Sequence, residues 1–185
     1  MDQRALVLAA RDGDHDAFAV LVGEALARLD AVARLILRDA ELARDAVQEA
    51  MVKAWRDLPG LRDPQRWDAW IHRITVNSAI EAARRRRRHV VEVELLDHDG
   101  PTSGDEHGQV LDRQVLEEAL AALEPEQRAL VVLRYYVGMS VPQAAATLGI
   151  PLGTAKSRLH RSLTQMRSVV VDPDRAPAPP VGEQA

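Results

Sequence analysis

The chain of 185 residues contains no cysteine. This absence excludes a disulfide framework, thiolate chemistry and a zinc site with cysteine ligands. Six histidines are present but scattered, and only His98 and His107 lie fairly close together, in an acidic stretch typical of a solvated linker. We therefore predict no metal site and no cofactor.

Aromatic residues and long apolar runs are also scarce. Six aromatic residues stand against 29 alanines, a balance that favours helices packed through small side chains over a β-sandwich or barrel. No apolar run approaches the roughly 18 residues of a membrane-spanning helix, and the chain opens in an amphipathic pattern without signal-peptide features. We expect an all-α protein of the cytoplasm with no membrane insertion.

The net charge of −4 is distributed unevenly. Residues 1–88 carry 16 basic and 14 acidic side chains, and residues 113–169 carry seven and four. Between them, residues 89–112 carry seven acidic side chains and no Lys or Arg, and turn-forming residues are frequent, as in a solvated linker. Residues 170–185 are rich in proline and predict a disordered tail. The pattern predicts two small helical domains, 1–88 and 113–169, joined by a flexible acidic linker.

Apolar residues recur at helical spacing through the first predicted domain and indicate about four helices. Residues 90–95 alternate like a short strand, but a single strand has no partner here, so we assign them to the linker. On the helix that carries Val47 and Met51, the polar residues Asp45 and Glu49 lie largely off the apolar stripe. They indicate a protein-docking face or a solvated surface, and a metal or acid/base pair is the enzyme alternative.

The second predicted domain contains the pattern of a helix-turn-helix. Ser140 and Gln143 form a capping box, Ala145 is small where a second helix would cross, and Gly149 suits the left-handed end of the first helix. A basic helix follows over residues 152–169, with Ala155, Leu159, Leu163 and Met166 on its inner face. These features together favour DNA binding over an ordinary helical hairpin with a solvated basic face. The outward residues are Thr154, Lys156, Ser157, Arg158, His160 and Arg161.

Five consecutive arginines at 84–88 form the densest charge in the chain. Alone they could be a solvated helix end or an RNA-binding arm. The helix that precedes them carries Trp67, Trp70, Arg73, Thr75 and Asn77, a mixture of stacking surfaces and hydrogen-bonding groups that can hold unpaired bases. The alternative is that the tryptophans anchor the core, and for one of the two this is the favoured interpretation.

The sequence resembles the extracytoplasmic-function (ECF) sigma factors of bacterial RNA polymerase. The resemblance rests on motifs whose order and spacing cover nearly all of residues 5–168; they lie at residues 12–18, 45–56, 70–77 with the arginine run, 123–128, 133–136 and 149–159. It implies a σ2 domain, an acidic linker and a σ4 domain. It also implies core RNA polymerase, through its β′ clamp helices and β flap, promoter DNA and an anti-sigma factor as partners.

The resemblance assigns a role to each candidate site, and none of these roles is catalytic. Contacts with core polymerase would come from Asp45, Gln48, Glu49 and Lys53. The promoter −10 element would be opened and held by Trp67, Trp70, Arg73, Thr75, Asn77, Arg84, Arg85, Arg86 and Arg87, with a loop around residues 75–77 capturing an extruded base. The −35 element would be read in the major groove by Thr154, Lys156, Ser157, Arg158, His160 and Arg161.

Two other functions compete with promoter recognition. A stand-alone helix-turn-helix regulator would bind duplex DNA without polymerase, but it should carry an apolar dimer face, and none is evident. A metal-dependent enzyme on the first domain, around Asp45 and Glu49, would need more convergent carboxylates or histidines than that domain offers. A third possibility within the same process is a protein that docks on core polymerase and inhibits it.

Overall fold

The computed structural model describes residues 2–93 and 109–170, with side chains described for 2–88 and 114–170. In this part of the chain every regular element is helical, which confirms the all-α prediction. The α-helices are α1 (Gln3–Arg11), α2 (His15–Leu37), α3 (Ala40–Asp57), α4 (Trp67–Val93), α5 (Gln109–Ala121), α6 (Pro125–Val131), α7 (Val141–Leu148) and α8 (Leu152–Val170). Two 3₁₀ turns, Leu58–Gly60 and Pro64–Arg66, connect α3 to α4, and α6 continues into a π-helical turn, Val132–Tyr136.

Aspartate caps fix the starts of α2 and α3. The Asp14 carboxylate accepts hydrogen bonds from the amides of Asp16 and Ala17 at 2.9 and 3.0 Å. The Asp39 carboxylate accepts one from the Leu42 amide at 2.9 Å. Each cap satisfies amides that have no partner within the helix, so the chain turns sharply from one helix into the next.

One apolar cluster holds the amino-terminal part of the first domain together. It joins α1, the first half of α2, the end of α3 and the start of α4. Trp67 is 1% exposed at its centre. The Phe18 ring packs edge-on against Trp67 with ring centroids 6.2 Å apart, and against Trp55 at 5.0 Å. Trp67 is therefore the core anchor expected of one tryptophan.

A second and larger cluster crosses between the two predicted domains. It contains Ile36 from α2 and Val76 from α4, and it continues without a break to Leu130 of α6, Ala145 of α7 and Leu159 of α8. Helix α6 contacts both α2 and α4, and α7 also contacts α4. The sequence predicted two helical units but not this common core, which packs α6 and α7 against α2 and α4.

The helices extend further than the predicted domain boundaries. Helix α4 ends at Val93, five residues beyond residue 88, and α5 begins at Gln109, four residues before residue 113. The stretch at 90–93, assigned to the linker, is helical. Helix α8 ends at Val170, the first residue of the predicted tail. The remainder of the predicted linker, 94–108, and of the tail, 171–185, lies outside the described residues.

The helix-turn-helix forms as the sequence predicts. The Gln143 amide donates to the Ser140 hydroxyl at 3.4 Å, and the Ser140 amide donates to the Gln143 side chain at 2.8 Å. Gly149 adopts the left-handed conformation with φ 65° and ψ 31°, where a side chain would be strained. Ala145 is buried where α7 packs against α8. This turn fixes the direction in which α8 leaves the core.

Candidate nucleic-acid interface

Helix α8 separates an apolar inner face from a polar outer face. Ala155 is fully buried and Leu159 nearly so, whereas Leu163 and Met166 are half-buried. Of the predicted −35 contacts, Thr154 and Arg158 are half-buried. The exposed ones are Lys156, Ser157, His160 and Arg161. The inner face predicted from the sequence is therefore confirmed, and most of the predicted contacts project from the other side.

The basic side chains of α8 have few partners within the protein. Within residues 114–170 and 2–88, Lys156, Arg158 and Arg161 form no ion pair with a carboxylate. The Arg161 Nε donates to the Ser157 carbonyl at 3.4 Å, and the Ser157 hydroxyl donates to the Thr154 carbonyl at 3.1 Å. These cations can thus approach a phosphate or a base edge without first leaving a carboxylate.

The structure divides the predicted −10 contacts on the first part of α4 into two groups. Trp70 is half-buried, and Arg73 and Asn77 are exposed. Trp67 and Thr75 are buried, at 1% and 0% exposure, and the Thr75 hydroxyl donates to the Ile71 carbonyl at 3.0 Å. The rings and hydroxyls that could reach a base are therefore fewer than predicted.

The predicted base-capturing loop is not a loop in this structure. Residues 75–77 lie in the middle of α4, which runs from Trp67 to Val93. The helix is continuous there because Val76 faces the common core while Asn77 faces outward, as a helical period requires. A base captured at this point would meet a helix surface formed by Asn77 and Arg73.

Four residues of the arginine run are engaged by carboxylates of the same chain. Arg85 pairs with Glu49 of α3, and Arg86 pairs with Asp39 at the start of α3, each at 2.6 Å. The other two arginines pair across the domain boundary.

In the cross-domain pairs, Arg84 contacts Glu126 of α6 at 2.8 Å, and Arg87 contacts Glu124, the residue that precedes α6. Both carboxylates stand at the amino-terminal end of α6, where the helix dipole also favours negative charge. The predicted −10 cations of the arginine run, Arg84 to Arg87, therefore have carboxylate partners in this arrangement, unlike those of α8.

Helix α3 contributes Glu49 to a network with α4. Lys53 lies between Glu49 and Glu81, with Nζ–Oε distances of 2.9 and 3.0 Å. Hydrogen bonds from Arg85 and then Lys53, followed by their charges, lower the pKa of Glu49 to about 2 against the cost of burial. Of the predicted polymerase contacts, Asp45 and Gln48 are exposed, whereas Glu49 and Lys53 are half-buried.

A cleft of about 820 Å³ lies between α4 and α8. The predicted −10 residues Asn77 and Arg84 line it together with the predicted −35 residues Arg158 and Arg161. Glu81 and Glu126 also line it. The two surfaces that the sequence assigns to separate promoter elements therefore face one another in this arrangement.

The sequence interpretation missed the carboxylates that neutralise the arginine run. Glu49 with Lys53, and Glu81 with Arg85, are four residues apart on a helix, and this spacing could have indicated the pairs within each helix. Glu124 and Glu126 carry no such local signal, because 37 and 42 residues separate them from their arginines.

The described residues contain no group of three or more His, Asp or Glu side chains placed to hold a metal. His98 and His107 lie outside these residues. Nor does any helix in this part of the chain combine the length and apolar character needed to cross a membrane.

Comparison with known proteins assigns the two helical units to one family. Residues 21–89 match the model of sigma-70 region 2, and residues 113–166 match sigma-70 region 4. The chain is 37% identical to the RNA polymerase sigma-E factor of Streptomyces avermitilis, across 73% of this chain and 74% of that protein. The chain belongs to the ECF sigma factor family. This sigma factor is also 38% identical to the ECF RNA polymerase sigma factor SigL of Mycobacterium tuberculosis, across 70% of its own length and 75% of SigL.

Two solved structures resemble the whole arrangement of this sigma factor. One is the sigma factor RpoE in complex with the anti-sigma factor NepR from Bartonella quintana, with a TM-score of 0.70, 28% identity and coverage of 84% of this chain and 98% of that one. The other is CnrH in complex with the cytosolic domain of CnrY, with a TM-score of 0.64, 27% identity and coverage of 91% and 97%. The similarity therefore extends over both helical units.

Proposed function

We propose that this sigma factor binds core RNA polymerase, directs it to specific promoters and helps to open the −10 region. The observation that carries the proposal is the outer face of α8, a set of exposed or half-buried polar and basic side chains that form no ion pair with a described carboxylate, on a helix-turn-helix with a capping box. Such a helix fits the major groove, where Arg and Lys read guanine edges and neutralise phosphates. We assign it to the −35 element.

The first domain would hold the −10 element through α4. Trp70, Arg73 and Asn77 are the accessible candidates for base contacts, and the arginine run would neutralise the phosphates. Trp67 and Thr75 would position these side chains from inside the helix bundle instead of touching DNA. Flipping a base out of the stack costs a few kcal/mol, which the contacts with Trp70, Arg73 and Asn77 must offset.

Core polymerase would dock on the exposed part of α3. Asp45 and Gln48 present free polar groups there, and we propose them as direct contacts. Glu49 and Lys53 are held in the network with Arg85 and Glu81, so their role would be to orient α3 on α4. Asp45→Ala with Gln48→Ala should weaken binding to core polymerase without lowering the melting temperature.

The packed arrangement, in which the two helical units share one apolar core, would have to open for this function. The names of the −10 and −35 elements refer to positions about 25 base pairs apart, which is roughly 85 Å at 3.4 Å per pair. Residues that line a single cleft cannot reach both elements at once. We propose that the units within 1–88 and 113–169 separate about the acidic segment 89–112 when the protein joins polymerase.

An anti-sigma factor is a further proposed partner, supported by the similarity to the sigma factor RpoE, whose structure was solved in complex with the anti-sigma factor NepR. We place the protein in the cytoplasm and assign it no catalytic activity, in keeping with a family of transcription initiation factors.

Run-off transcription tests the proposed function. Purified core polymerase is supplied with a library of promoter fragments, with and without this protein. Transcripts that require the protein are expected, and their start sites would reveal the promoter. If no transcript depended on the protein but it shifted duplex DNA alone, the stand-alone regulator would replace the proposal.

A further inference from the structure

Arg128 is a buried cation that no described carboxylate pairs with directly, although the charges of Glu124 and Glu126 act on it. It lies on α6 at 9% exposure, and among the described side chains no carboxylate forms an ion pair with it. The only hydrogen bond of its side chain there is a long one, 3.5 Å from Nη1 to the Leu120 carbonyl, and its Nε has no partner. A guanidinium carries five donors, and leaving a buried charge unpaired is costly.

A second cleft, of about 470 Å³, gives Arg128 access to a ligand. Arg86 and Arg87 of α4 line it from the first unit, and Arg128 and Glu124 line it from the second. Leucines, alanines and a proline form the rest of its wall. The volume lies in the range of small-molecule sites in proteins.

The charge balance of this second cleft favours an anion. Arg86 and Arg87 each have one carboxylate partner, Asp39 and Glu124, which leaves further donors of both guanidinium groups available. Burial, and then the neighbouring charge of Arg38, lower the pKa of Arg128, and the charges of Glu124 and Glu126, which raise it, do not offset that lowering. Arginine is the side chain best suited to several hydrogen bonds with one phosphate.

We propose that this second cleft is a binding site for a small phosphate-bearing anion, held by Arg128 together with Arg86 and Arg87. The ligand would bridge the two helical units, because α4 supplies two of the arginines and α6 the third. Binding would stabilise the packed arrangement by linkage, since the site is complete only when the units are together. The prediction that anion binding opposes promoter opening rests on the proposed function. The prediction that the anion binds to this cleft does not.

The test is thermal unfolding of the full chain with inorganic pyrophosphate, against sodium chloride at equal ionic strength. At about 100-fold excess over the dissociation constant, the melting temperature should rise by roughly 5 to 10 °C. Arg128→Met should melt no lower than the unaltered chain without the anion, because an apolar replacement removes an unpaired charge. It should lose most of the anion-dependent rise.

Arg56→Gln is the matched control. Arg56 is exposed and lies at the other end of α3 from this cleft, about 21 Å from Leu42 by helical rise. It should keep the full rise. Equal rises in the melting temperature of all three chains would indicate general salting-out and would overturn the proposal. No rise in the melting temperature of the unaltered chain would also overturn it.

Titration calorimetry provides a second readout. One pyrophosphate per chain is expected, with binding weakened roughly tenfold or more by Arg128→Met. If that variant does not fold, Arg87→Gln at an exposed position should also weaken binding, and unchanged binding would overturn the site. Adenosine diphosphate in place of pyrophosphate distinguishes the source of the phosphate: binding of both indicates a nucleotide site, and binding of pyrophosphate alone indicates a site for free phosphates.

Discussion

Helices α4 and α8 are both basic, yet their cations stand in different surroundings. Arg84, Arg85, Arg86 and Arg87 on α4 all pair with carboxylates, two from α3 and two from the beginning of α6. On α8, Lys156, Arg158 and Arg161 make no such pair among the described side chains. A run of positive charge in the sequence therefore does not by itself give a surface that is free to bind nucleic acid.

The difference implies an order of events. The α8 surface can meet duplex DNA in the packed arrangement, although Arg158 and Arg161 also line the cleft towards α4. The arginine run must first exchange its carboxylates for phosphates, and two of those carboxylates belong to the other unit. Separating the units thus frees Arg84 and Arg87, whereas Arg85 and Arg86 keep carboxylates of their own unit. The common apolar core resists that separation.

A cavity in the common core should produce the largest effect. Leu130 is fully buried in the cluster shared by both units, so Leu130→Ala should lower the free energy of unfolding by about 2–5 kcal/mol. Urea unfolding should remain a single transition, followed by tryptophan fluorescence in the first unit and by circular dichroism. Two separated transitions, with the tryptophan signal unshifted, would show that the units do not share a core in solution.

Arg158→Ala should weaken binding of the free chain to a duplex with its −35 element by about 1–3 kcal/mol if this arginine reads a base edge. Uniform weakening on all sequences would assign it to a phosphate instead. Arg85→Ala is the matched arginine on α4, and it should change the affinity much less because Glu49 already engages that side chain. Equal losses from the two variants would remove the distinction between the helices.

Neutralising the α6 carboxylates should release part of the arginine run. In the double variant Glu124→Gln with Glu126→Gln, Arg87 and Arg84 become available to phosphates. Binding of the free chain to duplex DNA should tighten. The slope of log K against log salt concentration should steepen by the amount expected for about two additional phosphate contacts. Stability should fall by at most about 1 kcal/mol per pair, because these pairs are exposed.

The control for this release is Asp30→Asn with Asp57→Asn. It adds the same charge and frees Arg34 and Arg56, which lie outside the proposed DNA surface. Its salt dependence should match that of the unaltered chain. An equal steepening in both double variants would mean that net charge, and not release of the arginine run, governs binding.

Acid sensitivity should be the smallest effect. The pKa of Glu49 is lowered to about 2 in the folded protein by Arg85 and Lys53, from an ordinary value of 4.5. Its contribution to stability is therefore complete above pH 4.5 and is lost as the pH falls towards 2. The difference in unfolding free energy between the unaltered chain and Glu49→Gln should shrink over that interval. A difference independent of pH would contradict this role of Glu49.

Features of the fold that depend on residues close together in the sequence could be predicted. The capping pair Ser140 and Gln143, the left-handed Gly149 and the buried Ala155 each depend on neighbours within a few residues. The length of α4 was underestimated, because alternating residues after the arginine run also fit an extended segment. Helical spacing alone did not fix where that helix ends.

The missed features are contacts between residues that are distant in sequence. Whether Trp67 or Trp70 is buried depends on the position of Phe18 across the bundle. The partners of Arg84 and Arg87 lie on another helical unit, and no periodic pattern encodes them. The candidate residues were thus correct in type, but their accessibility required the tertiary arrangement.

Locking the two units together tests the central claim most directly. Arg84 and Glu126 face each other, and the chain has no other cysteine, so Arg84→Cys with Glu126→Cys can be joined by a bismaleimide with a reducible spacer. Run-off transcription with core polymerase is then measured before and after reduction, with the unlinked double variant as reference. We predict that the linked chain does not start transcription and that reduction restores it. Equal transcription from the linked and unlinked chains would show that the units need not separate.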